Sequence, residues 1–325
     1  MRTLPVALTA SLALLLTGCS GSSTPEPTPS PSETQTADLD CVEPGAATEQ
    51  VQVSGGFGTA PSVTAPADLT AEGTEATLTV EGSGPVSEVG DTVWTNLTVY
   101  NATTQTPIEQ SSYAPGGLVS FPIDPAQVLT GIVETLNCVP QGSQVVGVVP
   151  PTQGFGTTGS EQLGVGADDT IVIVADLVWV QPDRANGADQ EPQAGFPEVE
   201  LAEDGTPTLT IPEGATPPTT TSTEVLKRGD GPTVTDQSTV SVHYTGVNWT
   251  TGEAFDSSWE RGEPSSFQVQ GVVAGFRDGL VGQTAGSQVV IIVPPDQGYG
   301  EAGNEQAGIA GTDTIVFVVD ILGTT

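Results

Sequence analysis

Residues 128–178 and 272–322 of this 325-residue chain repeat one sequence pattern. Upstream of the repeat the spacing is 147 residues, from Thr92 to Thr239, so one loop differs in length between the copies. A spacing that stays constant over such a length is typical of an internal duplication, and it predicts two similar domains in tandem. The motifs that recur 144 residues apart are Gly-Ser-Gln-Val-Val at 142–146 and 286–290, and Val-Pro-Pro at 149–151 and 293–295.

Each copy combines strand patterns with one short helix. Apolar and polar side chains alternate at 240–244, which is typical of a strand with two different faces. Continuous apolar runs at 289–293 and 314–321 indicate central strands that are buried on both sides. Apolar residues at helical spacing within 273–280 predict a short amphipathic helix that packs on the sheet. The predicted fold class is therefore α+β, with a curved antiparallel sheet wrapped on one short α-helix in each domain.

The N-terminal residues are typical of a bacterial secretion signal. Arg2 precedes an apolar run at 4–16, and Leu-Thr-Gly-Cys at 16–19 resembles a lipobox. This pattern predicts cleavage after residue 18 and lipidation of Cys19, which would hold the protein at the outer face of the bacterial cytoplasmic membrane. The alternative is an ordinary signal peptide with a chance cysteine.

Composition divides the remainder of the chain. A Ser/Thr/Pro-rich stretch near the N terminus cannot bury a core, and a polar stretch near the middle contains Asn-Gly and Glu-Pro turn signals. The predicted organisation is a signal peptide at 1–18, a disordered tether at 19–37, a first domain at 38–182, a linker at 183–196 and a second domain at 197–325.

Charge and histidine content exclude several classes of function. The chain has 6 Lys and Arg against 40 Asp and Glu, with no basic residue at 20–180, so nothing there could neutralise nucleic-acid phosphates. His243 is the single histidine, and it lacks the partners that Ser-His-Asp, Cys-His or zinc chemistry requires. The two G-x-G-x-x-G matches, at 154–159 and 298–303, follow Pro-Pro and precede no helical pattern, which argues against a dinucleotide. We expect no metal and no cofactor.

Cys41 and Cys138 remain once Cys19 is assigned to the lipid. An even pair in a compartment outside the cytosol predicts a disulfide. The alternative is two unpaired thiols.

Five motifs in order along the second copy carry a family resemblance. They are Val-His-Tyr-Thr-Gly, Phe-Asp-Ser-Ser, Val-Val-Ala-Gly-Phe, Tyr-Gly-Glu-Ala-Gly and Val-Phe-Val-Val-Asp, between residues 242 and 320. With them, residues 225–322 resemble an FKBP-type peptidyl-prolyl cis-trans isomerase domain.

The resemblance implies an apolar pocket for proline, with Phe276 as its floor. Tyr299 and the backbone N–H of Val273 would donate to the carbonyl of the bound peptide, and Asp256 would be held at the rim. The implied catalytic residues are Tyr244, Phe255, Asp256, Tyr299 and Phe317. The implied substrate-binding residues are Val272, Val273, Phe276, Ile309 and Arg261.

The chemistry of proline isomerisation fits such a residue set. Rotation about an X-Pro bond has a barrier of about 18–20 kcal/mol because twisting removes amide resonance. An apolar cup with a few oriented donors favours the twisted amide, and no nucleophile or metal is needed. The expected partners are proline-containing unfolded or secreted polypeptides, with a macrolide as a further ligand that the family implies. Ser265 stands where the family commonly has an aromatic residue, which makes macrolide binding less secure. We expect a monomer.

The first copy has lost the polar members of this set, so we expect weak or absent activity there. An alternative role for it is peptide capture on behalf of the second domain. For the whole chain, the alternatives to an isomerase are a client-binding holdase and a structural surface repeat. In the first copy, the residues that align with the implied pocket of the second copy are Leu97, Ile108, Glu109, Ala114, Ile132, Phe155 and Ile173.

Overall fold

The computed structural model describes residues 39–325. The predicted signal peptide, the lipidation site Cys19 and the tether lie outside the described residues. Within 39–325, no helix is long and apolar enough to cross a membrane.

The first domain is built on a six-stranded antiparallel sheet and one helix. Its elements are β1 (Gln52–Ser54), β2 (Ser62–Thr64), β3 (Glu75–Val80), β4 (Thr92–Asn101), β5 (Thr106–Gln110), β6 (Val119–Pro122), α1 (Thr130–Leu136), β7 (Gln144–Val149) and β8 (Ile171–Val180). The sheet order is β3-β7-β8-β4-β5, and β6 pairs with the first half of β4. Strands β1 and β2 form a separate hairpin.

The second domain is built on a seven-stranded antiparallel sheet. Its elements are β9 (Ala188–Asp189), β10 (Glu198–Leu201), β11 (Pro207–Thr210), β12 (Ser222–Arg228), β13 (Thr239–Asn248), β14 (Ala254–Ser257), α2 (Ser258–Arg261), β15 (Ser265–Gln268), α3 (Ala274–Leu280), β16 (Gln288–Val293) and β17 (Ile315–Thr324). The order is β14-β13-β17-β16-β12-β9, with β15 paired to β13, while β10 and β11 form a separate hairpin.

The two domains repeat the same elements at the spacing seen in the sequence. Helices α1 and α3 begin 144 residues apart, as do strands β8 and β17, whereas β4 and β13 begin 147 residues apart. In each domain, the main helix therefore follows equivalent strands and precedes an equivalent final pair of strands. The predicted α+β class with two tandem domains is confirmed.

Glycine on the inner face of α3 brings this helix close to the sheet. A Cβ at Gly275 would lie 2.5 Å from Cγ1 of Val293, and a Cβ at Gly279 would lie 2.6 Å from Cγ2 of Ile291. Any larger residue would therefore push the helix away from β16. Glycine has poor helix propensity, so this helix is stabilised mainly by its packing on the sheet.

The hairpins cover the outer faces of the two sheets. In the first domain, the hairpin side chains Val53 and Val63 pack against buried residues of β7 and β8. In the second domain, Val199 and Leu209 pack with Trp249 against β16 and β17. Both faces of each central strand are therefore buried, which explains the continuous apolar runs in the sequence.

The region predicted as a linker, 183–196, is partly joined to the second sheet. Strand β9 pairs with β12, and Lys227 forms an ion pair with Asp189 at 2.6 Å. The backbone N–H of Ala185 donates to the carboxylate of Asp320 at 2.8 Å. The domain boundaries at 182 and 196 stay predictions, and any isolated second domain should include this paired segment.

Cys41 and Cys138 form a disulfide, with their Cα atoms 5.6 Å apart. The bond closes a loop with a sequence separation of 97 residues. In the chain-entropy account, a loop of this length contributes about 4–5 kcal/mol to stability. The disulfide therefore ties the start of the first domain to the turn that follows α1.

A buried aspartate recurs at equivalent positions of the two domains. Asp176 accepts from Gln144 Nε2 at 2.9 Å and from the N–H of Gly58 at 2.7 Å. Asp320 likewise accepts from Gln288 Nε2 at 2.7 Å and from the N–H of Ala185. Each carboxylate thus binds a backbone segment that precedes its own sheet. Burial raises the pKa of both carboxyl groups above the ordinary value, against the lowering effect of these hydrogen bonds.

The raised pKa of Asp320 predicts a specific pH dependence of stability. The folded state binds this proton more tightly than the unfolded state, so the contribution is fully present below about pH 4. It is lost as the pH rises through the raised pKa of the folded state. Replacing Asp320 with Asn should therefore flatten the decline in the free energy of unfolding between about pH 4 and that raised pKa, measured by urea denaturation.

The control is Asp236→Asn, which removes an exposed charge of the same sign. It should leave that pH-dependent component in place. Equal slopes for the wild type and Asp320→Asn would contradict the prediction.

Candidate active site

An aromatic cavity of about 310 Å³ opens in the second domain. It lies where α3, β13, β14, β15 and β17 meet, and each of these elements contributes one aromatic side chain. The lining residues are Tyr244, Phe255, Asp256, Phe267, Gly271, Val272, Val273, Phe276, Tyr299 and Phe317. An aromatic cup of this kind suits a small apolar ring.

The aromatic rings contact one another and fix the shape of the cavity. Phe276 and Phe317 pack edge to face with centroids 4.6 Å apart, and Phe255 meets Phe317 in the same way at 5.7 Å. Phe276 is 5% exposed, and it belongs to the domain core as well as to the cavity. The rings are therefore held in place before any ligand arrives.

A polar cluster forms one rim of the cavity. The hydroxyl of Tyr244 donates to one carboxylate oxygen of Asp256. Arg261 donates to the other oxygen at 2.5 Å, to the Tyr244 hydroxyl at 3.1 Å and to Ser265 Oγ at 3.0 Å. The guanidinium carbon also lies 5.5 Å from the centroid of the Tyr244 ring. Four elements are thereby joined: β13, β14, α2 and β15.

Local sequence explains how Asp256 and Arg261 meet. Asp256 is in β14, and the single turn of α2 follows that strand directly. Ser257 caps the turn by accepting from the N–H of Glu260 at 3.5 Å, and Gly262 ends it with a φ of 77°. A chain reversal at this point returns the arginine side chain over the aspartate.

Burial raises the pKa of the Tyr244 hydroxyl above its ordinary value. The hydrogen bond to Asp256 acts in the same direction, and Arg261 opposes it. Tyr244 therefore stays protonated around neutral pH and acts as a donor to the carboxylate. The polar cluster keeps one arrangement across that range.

Two further donors predicted from the sequence face the cavity without a partner. The hydroxyl of Tyr299 makes no hydrogen bond to any described residue, and neither does the backbone N–H of Val273. Both groups belong to residues that line the cavity. They are free to donate to a carbonyl oxygen of a ligand.

The structure differs from the sequence-based site at two residues. Ile309 is only 4% exposed and packs in the core cluster, and it is not part of the cavity lining. Phe267 lines the cavity although the sequence analysis missed it, and its ring lies 5.8 Å from Phe276. A signal was present, because Phe267 follows Ser265 by two residues and so shares its strand face. The aromatic side chain absent at 265 is thus partly compensated at 267.

His243 points to the other side of β13 from Tyr244. It is 7% exposed, its Nδ1 lies 2.9 Å from Ser258 Oγ, and its ring stacks on Trp259 at 4.0 Å. Burial lowers its pKa, against the charge of Asp183. These contacts hold α2 against β13, which is a structural role.

A second cavity, of about 460 Å³, lies between the two domains. Its lining includes His243 and Trp259 together with the carboxylates of Asp91, Asp183 and Asp204. A wall rich in carboxylates does not offer the apolar surface that a proline ring requires. The aromatic cavity is therefore the better candidate for the active site.

The first domain has almost no space at the equivalent position. Its cavity measures about 10 Å³, no more than the room that one water molecule needs, at about 10–15 Å³. Leu97 and Ile173 are buried in the core there, and Ile108, Ile132 and Phe155 pack against them. Aliphatic side chains have thus filled the volume that the aromatic rings enclose in the second domain.

Comparisons with known proteins agree with this geometry. The FKBP-type peptidyl-prolyl cis-trans isomerase family matches residues 231–322. An FK506-binding protein of Streptomyces anulatus is 39% identical over 111 residues, which are 34% of this chain and 90% of that protein. A probable FK506-binding protein of Corynebacterium glutamicum is 34% identical over 116 residues, 36% of this chain and 96% of that protein.

A longer relative matches over a slightly shorter part of this chain. The FKBP-type peptidyl-prolyl cis-trans isomerase FkpA of Escherichia coli is 38% identical over 99 residues, which are 30% of this chain and 36% of that protein. The family match covers every residue that lines the aromatic cavity. The chain therefore belongs to the FKBP family, and it is a peptidyl-prolyl cis-trans isomerase.

Proposed function

We propose that the second domain carries the isomerase activity, and that its substrates are proline-containing polypeptides outside the cytoplasm. The observation that carries the proposal is the contrast between the two cavities, about 310 Å³ with an aromatic lining and about 10 Å³ with an aliphatic one. Only the first of these volumes accommodates a proline ring.

The aromatic cavity would act on the amide through its low polarity. The planar X-Pro amide is more polar than the twisted one, because resonance places charge on its oxygen and nitrogen. A proline ring bound against Phe276 and Phe317 takes its amide nitrogen out of water. The planar ground state loses more solvation than the twisted state, so the barrier falls.

Donors at the edge of the cavity would orient the substrate. The Tyr299 hydroxyl and the Val273 N–H can both donate to a peptide carbonyl, and neither has a competing partner among the described residues. Fixed donors add stabilisation without reorganising as the carbonyl turns. They would hold one side of the peptide while the other side rotates.

The polar cluster would keep the cavity open on its remaining side. Asp256 is bonded by both Tyr244 and Arg261, so its charge is compensated at the rim. Its neighbour Phe255 is a wall of the cavity, so fixing β14 also fixes that ring. At Ser265, the side chain accepts from Arg261 instead of adding an aromatic wall. For this reason we place macrolide affinity below that for an FKBP cavity with an aromatic residue there.

We also propose that the protein is lipid-anchored at Cys19 on the outer face of the bacterial cytoplasmic membrane. The lipobox-like sequence at 16–19 supports the anchor. The disulfide between Cys41 and Cys138 supports an oxidising compartment, because such bonds are rare in the cytosol.

Removal of one donor should weaken turnover more than binding. In the full-length protein, Tyr299→Phe deletes a hydroxyl without changing the apolar wall, and loss of one hydrogen bond lowers kcat/KM about tenfold. The measurement is NMR exchange between the cis and trans forms of an X-Pro peptide.

The matched control is Tyr100→Phe, the same chemical change in the first domain, which should have no effect. If Tyr299→Phe weakened client binding and turnover equally, the holdase alternative would be favoured over the enzyme.

Blocking the aromatic cavity should abolish the activity of the whole protein. Gly271 lines the cavity, and a Cβ there meets no atom within 4 Å, so a larger side chain starts in open space and Gly271→Trp is chosen to fill the cavity. Isomerisation of an X-Pro peptide should then fall to the uncatalysed rate, because the equivalent cavity of the first domain, about 10 Å³, is too small for proline.

Gly271→Ala serves as control and should retain activity, and thermal unfolding should be unchanged in both variants. Catalysis that persists in Gly271→Trp would show that the first domain is active.

The lipid anchor can be tested independently of activity. Mass spectrometry of the N-terminal peptide should find a diacylglyceryl group on Cys19, and Cys19→Ser should release the protein from the membrane fraction. An unmodified Cys19 in a mature protein cleaved elsewhere would establish the ordinary signal peptide instead.

A further inference from the structure

Two tryptophans of the first domain are buried in the core of the second. Trp94 is 2% exposed and Trp179 is 3% exposed, and both cluster with Val234, Val240 and Ala285. They do not belong to the core cluster of their own domain. The first domain therefore completes an apolar core that the second domain leaves open.

The contact between the domains is specific as well as apolar. The indole N–H of Trp179 donates to the backbone carbonyl of Leu322 at 2.7 Å. Leu322 is in β17, the strand that also carries Phe317 of the aromatic cavity. A buried hydrogen bond of this kind fixes the position of one domain on the other.

The duplicated sheets differ at one equivalent cross-strand pair. In the first sheet, Trp94 of β4 pairs with Trp179 of β8. In the second sheet the residues at the same positions are Ser241 of β13 and Gly323 of β17, which pair with each other. The first domain thus has two large aromatic residues at positions where the second domain has two of the smallest residues.

The small residues of the second domain make room for the tryptophans. A Cβ at Gly323 would lie 2.5 Å from Cζ2 of Trp94, and a Cβ at Gly231 would lie 2.9 Å from Cε3 of Trp179. Any side chain at Gly323 would therefore displace Trp94. The φ angle of neither glycine is positive, so the close approach explains these residues better than backbone conformation does.

The chain between the domains reinforces the same contact. Ala185 donates to the buried Asp320, and the N–H of Gly187 donates to the carbonyl of Gly286 at 2.9 Å. Gly286 itself lies against the Trp179 ring. The segment 183–189 is thus attached to the second domain beside the tryptophans and does not separate the two sheets.

We propose that the first domain has become a docking module for the catalytic one. Its tryptophan pair, Trp94 and Trp179, inserts into the groove at Gly231 and Gly323 and joins the two domains into one cooperative unit. The groove is at the ends of β13 and β17, the strands that carry Tyr244 and Phe317, so docking stabilises the frame of the active site. This role does not require the first domain to bind a peptide.

The test uses the full-length protein with two variants from opposite sides of the contact. Trp94→Ser introduces the residue found at this position in the second copy, and Gly323→Val fills the groove. The measurements are the radius of gyration by small-angle X-ray scattering, and hydrogen exchange in urea of β7 and β16, one strand from each core.

In the wild type, the two strands should lose protection at the same urea concentration, as one cooperative unit does. In both variants, their transitions should separate and the radius of gyration should increase. Since Trp94 is absent from the core cluster of its own domain, the first domain keeps its core in Trp94→Ser, and Gly323→Val leaves that domain untouched.

Trp249→Phe is the matched control, because Trp249 is buried on the outer face of the second sheet, away from the contact. It should lower stability without separating the transitions. Separate transitions in the wild type, or coincident transitions with unchanged scattering in both variants, would overturn the proposal. Gly271→Trp should abolish turnover without affecting docking, so a failure of the docking role can be told apart from a failure of the proposed active site.

Discussion

The close contact between α3 and β16 is the constraint on which the active site depends. Gly275 and Gly279 let the helix lie against Val293 and Ile291, at a distance that no side chain would allow. That distance sets the depth of Phe276, which leaves α3 towards β17 and meets Phe317. Since Phe276 is both a core residue and part of the cavity lining, the packing that stabilises the domain also shapes the site.

The duplication shows how a fold can outlast its active site. Both domains keep the helix, the sheet order and a buried Gln–Asp pair, because these features hold the core and the preceding segment together. The cavity is different, since it needs rigid rings that leave a space between them. Aliphatic residues at 97, 108, 132 and 173 supply similar apolar area but pack into that space. Stability is retained while the room for a proline ring is lost.

Much of the candidate site could be predicted because its residues lie in short motifs. Asp256 and Arg261 are joined by a single turn of helix, so their meeting depends on five residues of local sequence. The strand face on which Tyr244 lies could likewise be predicted, from the alternation of side chains along β13. Phe267 was missed, and Ile309 packs in the core cluster outside the cavity lining, because both positions depend on which side of a neighbouring element faces the cavity.

Sequence alone determined the duplication, the α+β class, the family resemblance and most of the aromatic set. These follow from periodicity and from motif spacing, which are properties of the chain read in order. Only the tertiary structure decided that the cavity of the first domain is closed, and that Trp94 and Trp179 complete the core of the second domain. Such outcomes depend on how side chains from distant segments fill a shared volume at contact distance, and residue spacing along the chain does not encode that fit.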